Sequence, residues 1–424
     1  MPKFKILLLT NRDSDNVGDQ IIEASVISIL KGIMKNLDIP SDGYEISSRA
    51  AGIISRAYMK TGDPALIESA RKSISTSDVV VFGGAPLFNY TYQSFYLRTI
   101  RTLELAQEYG VPVLFSSIGV EPFDPNNAKS LELKKALALP CVRQITTRDD
   151  VDSARRYVEG TGVPVAHVAD PAVLADIVFR KLTSALTPPP RERKKIGLVV
   201  TRAGIFKDNK IAFTAAKQKA FWLDTIALLE SRGYDVRLFT TGHFSDEVFL
   251  DNMVRKDGVP LGKAAVTVNS PEELITELST CDGVIAYRLH ASITSFALGV
   301  PSVGLSWNFK VPYFYDSVGY RHRALDPADW TAEKAVSAIE SAMADGIRKD
   351  EPFLTSVYDT LFAGIKEIAA PTSARVPFTL EELKNELPPY AGTTLAQYRE
   401  KMRRKLRRTY ENYQILTEQV ARLS

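Results

Sequence analysis

The chain has 424 residues, 45% of them hydrophobic and 24% charged, as in an ordinary soluble globular protein, and this length predicts two or three domains. A formal net charge of +3 is too small to indicate a nucleic-acid partner. Two cysteines cannot form a disulfide framework or a zinc cluster, and no apolar run approaches the roughly 20 residues of a membrane span. We therefore expect a cytoplasmic protein.

Strands and helices are predicted to alternate through the first half of the chain. The segment 4–10, FKILLLT, is continuously apolar, as is typical of a strand buried on both faces of a parallel sheet. A helix is predicted over 20–33, followed by a helix-rich stretch to 75. Further strands are predicted at 78–82, 113–117, 144–147 and 165–168, with helices over 93–109 and from 150 to 157. This alternation is typical of a doubly wound α/β domain.

Polar residues and glycines follow these strands. Because the carboxyl ends of parallel strands share one edge of a sheet, we expect the residues after them to line a cleft. They are Asn16, Gly18, Asp19, Gly83, Gly84, Gly119, Arg148 and Asp170. Asp19 has two interpretations, a helix N-cap or a side chain in the cleft. Gly18 requires no more than an unusual backbone angle, and the paired glycines are equally compatible with a tight turn.

The best predicted linker spans residues 182–195. Its three consecutive prolines and its run of charges can neither pair in a sheet nor continue a helix. Residues 1–181 are therefore assigned to a first domain and residues 196–370 to a second. The segment KKIGLVVTR that follows the linker loosely repeats the pattern of the opening strand, so a second α/β domain is predicted to begin there.

The stretch from Cys281 to Lys310 predicts a strand, a polar corner, a helix of small residues and a second strand. Strands are also predicted at 235–240 and 265–268, with a loop over 241–246. Four basic or imidazole side chains fall just after strands of this second domain, namely Arg202, His243, Arg288 and His290. We expect these side chains to lie at one sheet edge beside helix N-termini, and this arrangement predicts a pocket for an anion.

A carboxyl-terminal extension is predicted over 371–424. Residues 395–424 hold eight Arg or Lys and three Glu, and their apolar positions recur every three or four residues, as in an amphipathic helix. One interpretation is a helix packed on the body of the protein or on a second copy. The other is a helix resting on anionic lipid at the inner face of the cell membrane.

Several of these segments resemble the signature of the polysaccharide pyruvyltransferases. The resemblance is carried by Asn16-Val17-Gly18-Asp19, Gly83-Gly84, Gly119, Thr147-Arg148-Asp149, Asp170-Pro171-Ala172, Arg202, His243 and the block from Arg288 to Lys310. Two positions depart from it: Ala85 stands where the family usually has a third glycine, and Val120-Glu121 occupies a corner that is usually richer in glycine.

The resemblance implies a GT-B-like fold, in which two Rossmann-like domains face each other across a cleft. It implies transfer of the enolpyruvyl group of phosphoenolpyruvate to a sugar of a polysaccharide or lipid-linked glycan, giving a cyclic pyruvate ketal and phosphate. The donor would lie in the second domain against Arg202, His243, Arg288 and Lys310, and the acceptor mainly in the first. His290 is our hypothesis for the general acid, assisted by Arg288, and Asp19 for the base or acceptor ligand.

Two other functions are compatible with the same pattern. A GT-B glycosyltransferase would use the basic residues to bind the diphosphate of a nucleotide sugar. A non-catalytic assembly protein would retain the fold and act through its tail. Asp149, Asp150 and Asp152 follow a strand, but helix capping explains them as well as metal binding does. We predict no metal and no cofactor, and the sequence leaves a homo-oligomer open.

Overall fold

The computed structural model of the chain describes residues 3–91, 95–186, 191–202 and 204–423. Within these residues, twelve strands form two six-stranded sheets, and every pair of neighbouring strands is parallel. The predicted α/β class is therefore confirmed.

The first sheet has the strand order β2-β1-β3-β4-β5-β6, with β1 at Phe4–Thr10, β2 at Tyr44–Ala50, β3 at Val79–Gly83, β4 at Val113–Ile118, β5 at Val142–Thr147 and β6 at Val165–His167. The second has the order β12-β11-β10-β7-β8-β9, with β7 at Lys195–Val199, β8 at Asp235–Phe239, β9 at Ala264–Ala265, β10 at Gly283–Ala286, β11 at Ser302–Leu305 and β12 at Ala324–Leu325.

Eight helices belong to the described residues before β7: α1 Val17–Asn36, α2 Arg56–Thr61, α3 Glu68–Ser75, α4 Phe95–Glu108, α5 Ala128–Leu137, α6 Val151–Tyr157, α7 Ala175–Val178 and α8 Arg180–Thr183. Ten follow it: α9 Gly204–Asp208, α10 Ala215–Ser231, α11 Phe244–Lys256, α12 Pro271–Ser279, α13 Leu289–Ala297, α14 Lys310–Ser317, α15 Ala332–Asp345, α16 Glu351–Ala369, α17 Leu380–Glu386 and α18 Leu395–Leu423. Short 3-10 segments lie between several of these elements.

The central strands form where the sequence is continuously apolar. All five residues of β3 and the last five residues of β1 are buried, because helices cover both faces of a parallel sheet. Strand β2 was missed in a stretch predicted to be helix-rich. It alternates half-buried and exposed side chains at the edge of the sheet, and with few apolar residues its two-residue period is weak.

Other predictions need correction at the ends of helices. Helix α1 begins at Val17, three residues earlier than predicted, and α5 was missed. The predicted loop over 241–246 contains the start of α11 at Phe244, and the polar corner after β10 already includes the first residues of α13. Residues 188–190, the prolines of the predicted linker, and Gln93, the predicted start of a helix, lie outside the described residues.

Helix α16 crosses back from the second half of the chain to the first sheet. It contacts α1, β4 and β5, and Gln144 donates a hydrogen bond of 3.0 Å to the carbonyl of Thr360. The predicted boundary at residue 370 placed this helix in the second domain, whereas its packing is with the first. Its hydrophobic period gave no sign of which sheet it would cover. The division into units otherwise stays a prediction.

Helix α18 is confirmed as a helix over almost the whole predicted segment. Lys401 and Lys405 in its first half are 3% and 7% exposed, so this half packs on the body. Among the described residues, no helix combines the length and the apolar character needed to cross a bilayer.

Candidate functional site

A cleft of about 670 Å³ opens where the carboxyl ends of the two sheets face each other. Both halves of the chain contribute to it. The predicted site residues that line it are Asn16, Asp19, Arg148, Arg202, His243, Arg288, His290 and Lys310. Asn89, Asp208, Asn209, Trp307 and Asn308 also line it and were not predicted.

The two arginines of the second half lie where the strand order reverses. Arg202 follows β7 and Arg288 follows β10, and these two strands are neighbours at the centre of the sheet. From β7 the chain adds β8 and β9 on one side, and from β10 it adds β11 and β12 on the other side. Such a reversal leaves a crevice at the carboxyl ends of the strands, which is where open α/β sheets bind ligands.

Asp246 holds this arginine pair and was missed as a site residue. It is fully buried and accepts hydrogen bonds from Arg288 Nε at 2.7 Å and from the backbone N–H of Arg202 at 2.9 Å. Arg288 Nη2 approaches the same carboxylate at 2.6 Å, and Thr201 donates to it at 3.2 Å. The carboxylate therefore fixes Arg288 from behind. In the sequence, the one indication that Asp246 belongs to the site was its position three residues after His243. That spacing did not predict that the carboxylate would be buried.

His243 and Arg202 line the cleft, and each has a buried side-chain nitrogen. His243 is the N-cap of α11 and offers the helix no side-chain hydrogen bond. Within the described part of the chain, its Nδ1 and the Nε of Arg202 are buried without a hydrogen-bond partner. Burial and the charge of Arg288 lower the pKa of His243 to about 4. Unsatisfied buried polar nitrogens are costly, and the nearest carboxylate oxygen to His243 Nδ1, Asp246 Oδ1, is 4.0 Å away, too far for a hydrogen bond.

Asn16 connects the first half of the chain to His290. Its Oδ1 accepts from the N–H of Gly18 at 3.2 Å and so caps α1, which turns its Nδ2 toward His290 Nδ1 at 2.9 Å. The amide nitrogen donates, so Nδ1 is the acceptor and the neutral imidazole carries its proton on Nε2. The N-cap of α1 is thus Asn16, and Asp19 is left to face the cleft.

Gly18 provides the space for this contact. A Cβ at this position would lie 2.2 Å from the Cβ of His290, closer than any real contact. Its φ is not among the positive values of the chain. The expectation of an unusual backbone angle was therefore wrong, and the glycine is needed because the first turns of α1 and α13 meet here.

Positive charges surround His290 and change its titration. Burial, followed by the charges of Arg148, Lys310 and Arg288, lowers the pKa of His290 well below its ordinary value. The imidazole is therefore neutral in the unliganded protein at neutral pH. A bound anion would offset these charges and raise the pKa again.

Asp19 shows the opposite change. Burial raises its pKa to about 6, against hydrogen bonds from Ser14 and Asn11 and the charge of Arg148; Asn11 Nδ2 donates to its Oδ2 at 3.1 Å. A carboxylate with a pKa near the working pH suits a general base.

Lys310 reaches across the cleft to the first sheet. A Cβ at Gly119 would lie 3.3 Å from Lys310 Nζ and 3.2 Å from Asp149 Oδ2, so the glycine admits the lysine beside a buried carboxylate. Burial lowers the pKa of Lys310, and the charge of Asp149 opposes the change. Gly119 therefore leaves space for Lys310 without itself lining the cavity.

Five predicted residues do not line the cavity, which corrects the expectation for them: Gly18 and Gly119, described above, and Gly83, Gly84 and Asp170. Gly83 packs against Val26 and Leu8, and Gly84 has a φ of +63° and leaves no room for a Cβ beside Ile22. Asp170 is buried, pairs with Arg148 and caps the 3-10 turn that follows it. These residues support the site without facing a ligand.

The fold and the cleft define the class of the protein. Two parallel sheets with their carboxyl edges facing each other form a GT-B-like pair of Rossmann-like domains. Residues 16–308 match the family model for polysaccharide pyruvyl transferase, which covers most of the chain. The chain therefore belongs to the polysaccharide pyruvyl transferase family and is a transferase.

Solved structures agree on the fold. The UDP-GlcNAc 2-epimerase of Methanocaldococcus jannaschii, in complex with UDP-GlcNAc and UDP, is 14% identical over 85% of this chain and 98% of its own, with a TM-score of 0.51. A UDP-N-acetylglucosamine 2-epimerase from Listeria monocytogenes, identified as such only provisionally, is 10% identical over 89% of this chain and 100% of its own, with a TM-score of 0.54. Comparison with curated proteins found no match.

Metal binding was not predicted. The residues that the structure describes contain no group of three or more His, Cys, Asp or Glu side chains that could hold a metal ion. Metal independence stays a prediction.

Proposed function

We propose that the donor is phosphoenolpyruvate and that the product is a cyclic pyruvate ketal on a sugar of a polysaccharide or lipid-linked glycan. The observation that carries this proposal is that Arg202 and Arg288 both line the cleft beside the N-terminus of α13, with Asp246 binding the guanidinium of Arg288 and the backbone N–H of Arg202. Phosphoenolpyruvate has two anionic groups, a phosphate and a carboxylate. Planar guanidinium groups bind both with paired hydrogen bonds, and one end of the donor would lie at the helix N-terminus.

Donor binding would prepare His290 as the acid. The negative charges of phosphoenolpyruvate would offset Arg148, Lys310 and Arg288, which lower the pKa of the imidazole in the free protein. His290 would then take up a proton and pass it to the methylene carbon of the enol, which becomes a methyl group. Such proton transfer contributes roughly 10²- to 10⁴-fold to a rate.

The remaining steps use the acceptor. A sugar hydroxyl attacks the cationic carbon and loses its proton to Asp19, whose pKa of about 6 leaves it ionised at neutral pH. The carbon–oxygen bond to phosphate then breaks and phosphate leaves with the bonding pair. A second hydroxyl of the same sugar attacks that carbon and closes the ketal, and its proton leaves with phosphate. Asp19 releases its proton to solvent, which replaces the proton that His290 took up. The two hydroxyl protons thus balance the new methyl hydrogen and the protonated phosphate.

Proton uptake on donor binding tests this sequence. Titration calorimetry of phosphoenolpyruvate at pH 7.5 in two buffers of different ionisation enthalpy measures the protons taken up. We expect uptake approaching one proton in the wild type, and binding without uptake in His290→Gln. Binding by the wild type without proton uptake would contradict the role of His290. Absence of binding would contradict the donor.

A nucleotide-sugar donor is the second candidate function. It is favoured by the similarity in fold to a UDP-GlcNAc 2-epimerase solved with UDP-GlcNAc and UDP, and the same arginines would bind a diphosphate. It is less well supported, because the match over residues 16–308 is to the pyruvyl transferases. Localisation at the inner face of the membrane and a lipid-linked acceptor are likewise proposals.

A further inference from the structure

The distal half of α18 lacks the packing that usually stabilises a helix. Every side chain described from residue 406 to residue 421 is exposed. These residues and the two that follow extend about 27 Å at roughly 1.5 Å per residue. Most helical stability in proteins comes from burying an apolar face, so a helix this long and this exposed requires a partner surface.

The sequence of this half has the pattern of a coiled-coil seam. Seven positions follow one another at alternating spacings of four and three residues, which gives a seven-residue repeat. They are Met402, Leu406, Thr409, Tyr413, Leu416, Val420 and Leu423, and all except Thr409 are apolar. An average spacing of 3.5 residues is the period at which two helices stay in contact as they wind around each other. Leu406, Tyr413 and Leu416 are 71%, 66% and 59% exposed, so this seam lies on the surface of the monomer.

The charges of α18 argue against lipid as the occupant of this seam. Three of its basic residues bind the body of the same chain: Arg404 pairs with Asp13 at 3.2 Å, Lys405 with Glu247 at 2.7 Å and Arg408 with Asp15. Residues 406–423 hold three Arg and two Glu, and one of these arginines, Arg408, is paired with Asp15. An anionic bilayer has little electrostatic attraction for such a segment.

The residues that flank the seam suit an identical partner. The flanking positions of the distal half are Tyr410, Asn412, Thr417 and Gln419, none of which is charged. Two copies of the helix can therefore meet without repulsion between like charges, whereas an unrelated basic or acidic helix would gain no complementary charge there.

We propose that residues 406–423 of α18 pair with the same residues of a second copy of this chain, and that the protein is a homodimer joined by this short coiled coil. The contacts of Arg404, Lys405 and Arg408 with the body hold the helix in one orientation, so that the seam is presented to the partner. Pairing of one patch with its own copy closes a two-fold dimer.

Sedimentation equilibrium of the full chain tests this proposal. We expect a monomer–dimer equilibrium whose dissociation constant rises about 100-fold or more in Leu416→Glu, because two carboxylates would be buried opposite each other. Ile415→Glu is the matched control. It introduces the same charge one residue away from the seam, at a side chain that is 53% exposed, and should keep the dimer.

Circular dichroism verifies that both variants remain folded. A wild type that is monomeric at its highest soluble concentration would overturn the proposal. Equal dissociation of the two variants would also overturn it. Binding of the wild type to phosphatidylglycerol vesicles as a monomer, lost in Leu416→Glu, would assign the seam to lipid instead. None of these measurements depends on the identity of the donor.

Discussion

At the scale of single residues, Asn16 links helix capping to the proposed chemistry. Its Oδ1 caps α1 and its Nδ2 donates to His290 Nδ1. Because that nitrogen accepts a hydrogen bond, protonation at Nδ1 requires the Asn16 amide to rotate and present its oxygen. The free protein therefore resists protonation of His290 for two reasons, the surrounding cations and this amide.

Replacement of Asn16 by Asp tests this link. The carboxylate can still accept from the Gly18 N–H and cap α1, but it cannot donate to His290. We expect the pKa of His290 to rise by about 1 to 3 pH units, because an adjacent negative charge favours the imidazolium. Nitrogen-15 correlation spectra of the imidazole, recorded across an acidic to neutral pH titration, should show the Nε2–H tautomer giving way to the imidazolium at a higher pH in the variant than in the wild type. Titration of both proteins at the same pH would refute the link.

Asp19 gives a prediction for the pH dependence of turnover. Its pKa is raised to about 6, so the base is ionised above that pH and protonated below it. We expect kcat/KM for phosphate release to fall tenfold per pH unit below about pH 6. Asp19→Asn should reduce turnover by roughly 10²- to 10⁴-fold and abolish this acid limb. An acid limb that persists in the variant would show that another group causes it.

At the scale of secondary-structure elements, α18 holds together parts of the protein on both sides of the cleft. Arg408 pairs with Asp15 in the loop that contains Asn16, and Lys405 binds Glu247 of α11, the helix that His243 caps. Lys405 Nζ also donates to Asn269 at 2.7 Å. The sequence predicted an amphipathic basic helix, but it did not show which acidic groups would receive these charges.

Removal of the Lys405 charge tests this role. In Lys405→Met the buried carboxylate of Glu247 loses its partner, and breaking a buried ion pair costs about 3–5 kcal/mol. We expect urea denaturation to show a loss of free energy of unfolding of this size. Arg407→Ala, at an exposed position of the same helix, is the control and should change stability by less than about 0.5 kcal/mol.

The double variant Lys405→Met with Glu247→Gln should recover much of the lost stability, because it removes the unpaired charge. An unchanged free energy of unfolding in Lys405→Met would mean that α18 does not hold the two parts together.

The elements that the sequence predicted well are those with a strong local signal. The bounds of β1 match the predicted segment because its apolar run is unbroken. Strand β2 and helix α5 have weak periods and were missed. The N-cap of α1 is Asn16 and not Asp19, because the Asn16 side chain accepts from the backbone N–H of Gly18. Asn and Asp are both common at N-caps, so residue type alone could not decide between the two positions.

At the scale of the whole molecule, the site exists because two sheets bring their carboxyl edges together. The sequence predicted which residues follow strands, and eight predicted site residues line the cleft. It did not predict contacts between the halves of the chain, such as Lys310 beside Asp149 or Asn16 beside His290. These contacts join residues far apart in the chain, and no local pattern encodes them.

A thermal-shift comparison of phosphoenolpyruvate with UDP-GlcNAc distinguishes the two candidate donors. A ligand at about 100 times its dissociation constant stabilises a protein by about 2.7 kcal/mol. We predict stabilisation by phosphoenolpyruvate and none by UDP-GlcNAc, with the effect lost in Arg202→Ala and retained in Arg375→Ala, whose side chain pairs with Asp38. Stabilisation by UDP-GlcNAc alone would contradict a phosphoenolpyruvate donor and identify a nucleotide-sugar site.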